Sequence, residues 1–360
     1  METAINIGYS CKLLNKHMNI FIVNEVKPKK IRSELANLLS QQNVTKQGRE
    51  NAVVVSGDTL TSIFEMKDVS FLKMFTDLCE NANVVLACRV SPKQKAKVVA
   101  MMRERNPDKS TLAIGDGAND VNMITAAHIG IGIKGLEGTQ AARAADYSIG
   151  QFKFLKNLLL CHGRECYRRN AYAISYMFYK NVFLVFPIWI FGFVSFFSGT
   201  TIYDVFLYNS YNTVFTSLPI VWFSVFDWQF DKQYLLDNPR QYKIGLENIF
   251  FNSWVFWRWF FYGLWQGTLL LLLTFYTMNS STTNEGNAIG CLETDGQFVF
   301  SAIVIVVNLK VLVSSYEFTV LSVLASLIGI VGYIAVLAVF GFVDIYTMQG
   351  DFQHLFLTSP

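Results

Sequence analysis

The sequence predicts an α/β domain built on a parallel sheet over residues 1–170. An α-helical transmembrane domain follows over 171–343, then a non-cytosolic tail at 344–360. Three observations carry this division. Short apolar runs alternate with amphipathic stretches in the first part, the pattern of successive strand–helix units. Five apolar runs in the second part approach or exceed the ~20 residues that cross a bilayer. The charge divides at the same place. Residues 1–170 hold 24 of the 30 Lys and Arg and 16 of the 27 Asp and Glu, and residues 171–360 hold the other 6 and 11. The net +3 is thus +8 followed by −5, and all seven Trp and 25 of the 31 Phe fall in the second part. At 52% hydrophobic and 16% charged, the chain departs from a compact soluble body, which carries about 25% charged residues. Its apolar content excludes disorder, and its six scattered Cys exclude a disulfide scaffold.

In chain order, the strand candidates are Ile20–Val23, Ala52–Val55, Val84–Ala87, Thr111–Ile114, Ile129–Ile133 and Tyr147–Ile149. Helical patterns between them include Thr3–Leu14, Lys29–Leu39, Val69–Glu80, Lys93–Arg103 and Asn119–Ala127. Alternation of this kind implies a parallel sheet with function at the carboxyl ends of its strands. Gly57-Asp58-Thr59-Leu60 reads as a turn. The five spans are predicted at about 174–197, 203–226, 254–278, 298–315 and 318–343. Arg164, Arg168 and Arg169 precede the first span and place residues 1–170 in the cytosol. Lys232, Arg240 and Lys243 mark the next cytosolic loop. The loop from Asn279 to Gln297 holds no Lys or Arg, as an outer loop should, and contains the sequon Asn279-Ser280-Ser281. No signal peptide stands at the N-terminus.

Thr111-Leu-Ala-Ile-Gly-Asp-Gly-Ala-Asn-Asp120 is the most informative segment. An apolar strand ends at Gly115, and Asp116 and Asp120 follow around Gly117 and Asn119. Glycine lets the chain turn sharply at the strand end, so the carboxylates project together. Two carboxylates with an amide form a hard-oxygen set suited to Mg²⁺ that keeps much of its water and is shared with a phosphate. A plain turn in which Asp120 caps the next helix is the competing reading. Upstream, Cys88-Arg-Val-Ser-Pro-Lys-Gln-Lys-Ala-Lys97 again joins a strand end to a helix, with Ser91 as cap and Pro92 in the first turn. Lys93, Lys95 and Lys97 cannot share one helical face. One of them can therefore turn toward the crevice and neutralise a phosphoryl group there.

In the second part, Lys180 and Asn181 lie near one end of the first span. The residues alone leave two readings open: an ionisable group with a function inside the membrane, or a lysine that snorkels to the headgroups. Pro187 is expected to kink or unwind that helix. Asn209, Asn212 and Thr216 fall on one helical face, which lines a polar path or glues helices. No Asp or Glu lies centrally in a span, so the pattern disfavours a cation pump and favours a lipid or another non-cation substrate.

Glu2-Thr-Ala-Ile-Asn-Ile-Gly-Tyr-Ser10, Cys88–Lys97 and Gly115-Asp-Gly-Ala-Asn-Asp-Val-Asn-Met123 resemble the later part of a P-type ATPase phosphorylation domain, a haloacid dehalogenase-like fold. Tyr179-Lys-Asn-Val182, Tyr211-Asn-Thr-Val-Phe-Thr-Ser-Leu-Pro219, Leu236-Asp-Asn-Pro-Arg-Gln-Tyr242 and Phe256-Trp-Arg-Trp-Phe260 resemble the phospholipid flippases, the type-four subfamily. The resemblance runs over nearly the whole chain. It implies a multi-pass membrane enzyme that moves phospholipids to the cytosolic leaflet through an Mg²⁺-dependent aspartyl phosphate, with ATP as substrate. Asp116 would be the principal Mg²⁺ ligand. Asp120 would help hold the metal and, with Asn119, the phosphate and nucleotide. Lys95 would neutralise the phosphate, and Arg89 would contact nucleotide. Lys180, Asn181 and Asn212 would serve lipid transport and coupling. A Cdc50-like β-subunit is the implied partner, and no nucleic acid is expected. The phosphorylated Asp of the family lies in an Asp-Lys-Thr-Gly-Thr motif that does not occur here. The resemblance therefore implies part of a flippase, catalytically incomplete alone, spanning membrane helices five to nine. A truncated non-enzymatic paralogue that regulates complete pumps is the alternative.

Overall fold

The computed structural model describes residues 1–44, 50–66, 68–135, 138–278 and 292–341. The Asn279 sequon, most of the loop to Gln297, the end of the last predicted span and the tail at 344–360 lie outside the described residues. Contacts divide the chain into two units, Met1–Leu155 and Lys156–Pro360. Residues 156–170, read above as the close of the first part, fall in the second unit.

The first unit runs α1 (Glu2–Ser10), β1 (Asn19–Val23), α2 (Pro28–Val44), β2 (Asn51–Ser56), α3 (Gly57–Glu65), α4 (Val69–Glu80), β3 (Val84–Cys88) and α5 (Pro92–Arg105). It continues with β4 (Leu112–Gly115), a single tight turn at Ala118–Asp120, α6 (Val121–Ala126), β5 (Ile129–Ile133), α7 (Gln140–Ala144) and β6 (Tyr147–Ile149). All six predicted strands form. Among the described residues they make two three-stranded sheets, β1-β2-β3 and β4-β5-β6, with every pairing parallel. Val53, Val54 and Val55 are at most 1% exposed, so β2 is buried on both faces, as a central parallel strand must be. Val23, Ile31, Leu35, Leu60, Phe75 and Leu78 close the core around it. Cys79 sits at the edge of this core, and burial pushes its thiol up to about 12.

Two helices of this unit escaped the sequence reading. The turn assigned to residues 57–60 is instead the first turn of α3. Ser56 caps it, its hydroxyl accepting from the Thr59 amide at 3.2 Å. The short α7 follows a loop and carries only five residues, too few for a periodic signal.

The second unit follows a three-residue α8 (Leu155–Asn157). It contains α9 (Arg164–Val194), α10 (Val205–Ser210), α11 (Ser217–Phe226), α12 (Lys232–Asp237), α13 (Lys243–Leu246), α14 (Ser253–Met278), α15 (Leu292–Ser314) and α16 (Val320–Gly341). Three helices of the described residues are long and apolar enough to cross a membrane: Phe152–Val194, Asp295–Ser314 and Val320–Phe340. The predicted span at 254–278 is one continuous helix, α14. The span predicted at 203–226 is α10 and α11 joined by a widened turn at Tyr211–Phe215. Pro187 does not unwind α9, which stays helical from Arg164 to Val194. Gly263 and Gly267 let α14 lie close along it, their missing Cβ positions 3.1 Å from the Tyr179 carbonyl and 3.3 Å from the Pro187 ring. Val320, Leu321, Leu324, Ile328 and Val331 are more than 40% exposed on α16, an apolar face that water would not tolerate and lipid does.

Candidate functional site

In the first unit the site grows from two strand–helix junctions. After β3 the chain passes through Arg89, exposed and in the left-handed region at φ 55°, before Ser91 caps α5. The cap is reciprocal: the Ser91 amide donates to Gln94 Oε1 at 2.7 Å, and the Gln94 amide donates to Ser91 Oγ at 3.3 Å. Gln94 Nε2 also donates to the Gly57 carbonyl at 2.7 Å and to Thr61 Oγ1 at 2.8 Å. This side chain fastens the start of α3 to the start of α5, a role the sequence reading did not assign. Ser91→Ala removes one arm and is expected to lower stability in denaturant unfolding by about 1 kcal/mol. A loss below roughly 0.3 kcal/mol would show that the cap adds nothing here.

Of the three lysines on α5, Lys95 is the one that turns inward. Lys93 is exposed, and Lys97 is exposed with its ammonium 5.4 Å from the centre of the Phe64 ring. Lys95 Nζ donates to Asp120 Oδ1 at 2.7 Å, with side-chain exposures of 31% and 13%. Asp120 reaches this position because it packs over Gly115, where an added Cβ would stand 2.3 Å from the Asp120 Cβ. At the other end of α5, Arg103 donates to the Ala126 carbonyl at 2.5 Å, so this helix is tied to both ends of the acidic loop and α6. Asp116 and Asn119 are exposed beside the pair, at the carboxyl end of β4. The structure thus brings Lys95 and Asp120 into contact and places Asp116 and Asn119 on the same short loop. Arg89 stands at the neighbouring junction and makes no hydrogen bond or ion pair with them among the described residues.

An exposed carboxylate at Asp116 and a second at Asp120 that keeps Oδ2 free of the Lys95 pair are oxygen donors of the kind a largely hydrated Mg²⁺ takes, though the described residues hold no group of three His, Cys, Asp or Glu that could bind a metal ion.

In the second unit Lys180 is fully buried and does not snorkel. Its Nζ donates to Thr216 Oγ1 at 2.9 Å and lies 5.8 Å from the centre of the Tyr211 ring. Asn181, the next residue of α9, is exposed, and Asn209 and Asn212 are exposed as well. The expectation that Asn209, Asn212 and Thr216 share a face fails. The Thr216 amide bonds the carbonyl five residues back, at Tyr211, and the widened turn rotates Thr216 inward. Sequence reading also passed over Lys310 on α15. Its ammonium sits 4.0, 4.7 and 5.2 Å from the ring centres of Tyr179, Tyr262 and Trp259. A lysine inside an apolar span was signal enough to find it.

Arg164 and Arg168, taken above as flanking charges, are 2% and 4% exposed and pair with the fully buried Glu165. Arg168 also bonds Asp227 Oδ2 at 2.7 Å.

Residues 142–360 match the family model for the C-terminal part of phospholipid-translocating P-type ATPases. A phospholipid-transporting ATPase of Schizosaccharomyces pombe is 37% identical over 353 residues, 92% of this chain and 25% of the relative. Phospholipid-transporting ATPase DRS2 of Saccharomyces cerevisiae is 42% identical over 278 residues, 76% and 20%. Phospholipid-transporting ATPase ID of Mus musculus is 36% identical over 337 residues, 86% and 27%. The chain spans about a quarter of the length of these relatives. With the family model covering more than half of it, the chain belongs to the phospholipid-translocating P-type ATPases.

Proposed function

We propose that this chain is the C-terminal part of an ATP-driven pump that moves phospholipids to the cytosolic leaflet through an aspartyl phosphate. The Lys95–Asp120 contact beside Asp116, at the carboxyl ends of parallel strands, carries the reading. That arrangement, in a unit with two parallel sheets, supports a haloacid dehalogenase-like phosphorylation domain at 1–170. Asp116 and Asp120 would hold Mg²⁺, which supplies charge neutralisation at a phosphoryl group and orients it. Lys95 presents a cation to the same group and, through its pair, fixes the Asp120 carboxylate. Asn119 and Arg89 offer an amide and a guanidinium to phosphate or nucleotide oxygens. In the second unit the helices around α9 hold Lys180, a buried cation with no carboxylate beside it among the described residues. That suits an anionic headgroup better than a transported metal ion. Asn181 and Asn212, both exposed, would meet lipid or other parts of the pump, and a Cdc50-like β-subunit would accompany it.

The nucleophilic Asp would come from outside this sequence, so the isolated chain is expected to show no vanadate-sensitive ATP hydrolysis. Hydrolysis by the purified 360-residue chain overturns the assignment. In the complete pump, Asp116→Asn is expected to lower lipid-stimulated hydrolysis about 10²-fold or more. Activity within twofold of the parent would remove Asp116 from the site.

A further inference from the structure

The widened turn between α10 and α11 is closed on one side by α9 and on the other by α15 and α16. On the α9 side the bonds form a ring. Lys180 Nζ donates to Thr216 Oγ1 at 2.9 Å, Thr216 Oγ1 donates to the Tyr211 carbonyl at 2.7 Å, and the Tyr211 hydroxyl donates to the Lys180 carbonyl at 3.2 Å. Thr216 spends its one hydrogen on Tyr211, so its hydroxyl oxygen is committed to accepting from Lys180. The position of that oxygen depends on the backbone just before it. There the Phe215 carbonyl accepts from Asn308 Nδ2 at 3.1 Å, and the same amide nitrogen donates to the Val304 carbonyl at 2.8 Å. Asn308 is fully buried, and its Oδ1 has no partner among the described residues. From α16, Gly329 leaves open the space beside the turn. A Cβ there would stand 2.6 Å from the Phe215 oxygen and 3.1 Å from Asn308 Oδ1.

A turn with an extra residue leaves carbonyls without their regular helical donors. Side chains or neighbouring helices must supply them in lipid, where water cannot. Asn308 does this for the Phe215 carbonyl.

We propose that Asn308 and Gly329 form a bracket that holds the turn, and that Asn308 is a positioning residue for the Thr216–Lys180 contact. Its consequence for lipid transport rests on the coupling role proposed for Lys180; the geometry does not. Without the bracket the Phe215 carbonyl loses its donor, the turn relaxes, and Thr216 leaves the ammonium.

The test reads Lys180 directly. The full chain in lipid nanodiscs is treated with formaldehyde and borohydride, and methylation of each lysine is measured by mass spectrometry. Lys180 resists in the parent chain. In Asn308→Leu, and independently in Gly329→Ala, its methylation is expected to rise roughly tenfold while Lys310 stays unchanged. Lys310 lies two residues along the same helix, in its own aromatic cage, and reports whether the bundle as a whole has loosened. Val306→Ala, on an exposed position of α15, is expected to leave both lysines as they were. Unchanged Lys180 methylation in both bracket variants overturns the proposal. So does a parallel rise at Lys310. The lipid response of a Lys180→Ala pump reports separately on the coupling role, so either reading can fail without the other.

Discussion

Glu165→Ala is expected to destabilise the chain by about 3–5 kcal/mol, the cost of stranding buried charge without its partner. Glu165 is fully buried and serves both neighbours: Arg164 through one oxygen, and Arg168 Nε at 2.9 Å through the other. That second oxygen also accepts from the Gln229 amide at 3.3 Å. Arg168 continues to Asp227, whose other oxygen accepts from the amides of Tyr316 and Glu317 at 2.8 and 3.1 Å. The cluster holds two cations and two anions, so removing Glu165 leaves an unbalanced positive charge where α9, the loop at 227–229 and the turn at 315–317 meet. Coulomb repulsion between the arginines then adds to their lost bonds. The measurement is unfolding of the full chain in micelles. A control separates charge from packing: Arg164→Met combined with Glu165→Ala restores the balance, because Arg168 keeps Asp227. The double variant is expected to recover at least about 1 kcal/mol over Glu165→Ala alone. Strict additivity of the two losses would mean that unpaired charge is not what destabilises the chain.

That cluster also shows where sequence reading stops. Arg164, Arg168 and Arg169 were legible as a basic flank, and the flank was real as composition. The burial of Arg164 and Arg168 was not legible, because the partners Gln229 and Asp227 lie some sixty residues away in sequence. The strands fared better for a physical reason. Val53 to Val55 and Ile129 to Ile133 are short apolar runs bounded by polar turns, and a central parallel strand has no polar face to confuse the pattern. Val69–Glu80 was predicted to the residue, since Asp68 caps it. Lys95 could not be chosen from Lys93 and Lys97 by spacing alone. Contact with Asp120 chooses it, and that contact depends on Gly115 leaving room. Thr216 was placed on the wrong companions because a period of 3.6 cannot anticipate a turn that takes one residue more.

Gly57→Ala is expected to cost about 1–3 kcal/mol by overpacking, and Gly57→Val at least as much. The strain is against backbone, which cannot step aside as a side-chain tip can. An added Cβ at Gly57 would stand 2.2 Å from the Arg89 carbonyl oxygen, 3.0 Å from its carbon and 3.4 Å from the Cys88 oxygen. Arg89 already holds a left-handed φ of 55°, so it has little freedom to rotate its carbonyl away. The junctions after β2 and β3 must then separate, and the Gln94 bond to the Gly57 carbonyl, 2.7 Å in the parent, stretches with them. Replacing glycine also stiffens the unfolded chain, which offsets about 0.4–1 kcal/mol of the loss and makes alanine the milder variant. The effect should reach the candidate site, because α5 carries Lys95 and starts at the displaced junction. Lys95→Met, which removes the ion pair with Asp120, should therefore cost less in the Gly57→Ala background than in the parent chain. The half-exposed pair itself is worth no more than about 1 kcal/mol, so the coupling to be resolved is a few tenths. Unfolding of the four chains of this cycle measures both quantities. Parent-like stability in Gly57→Ala would mean that the two strand ends can part freely, and Gly57 would then have no part in holding Arg89 and Lys95 where they are.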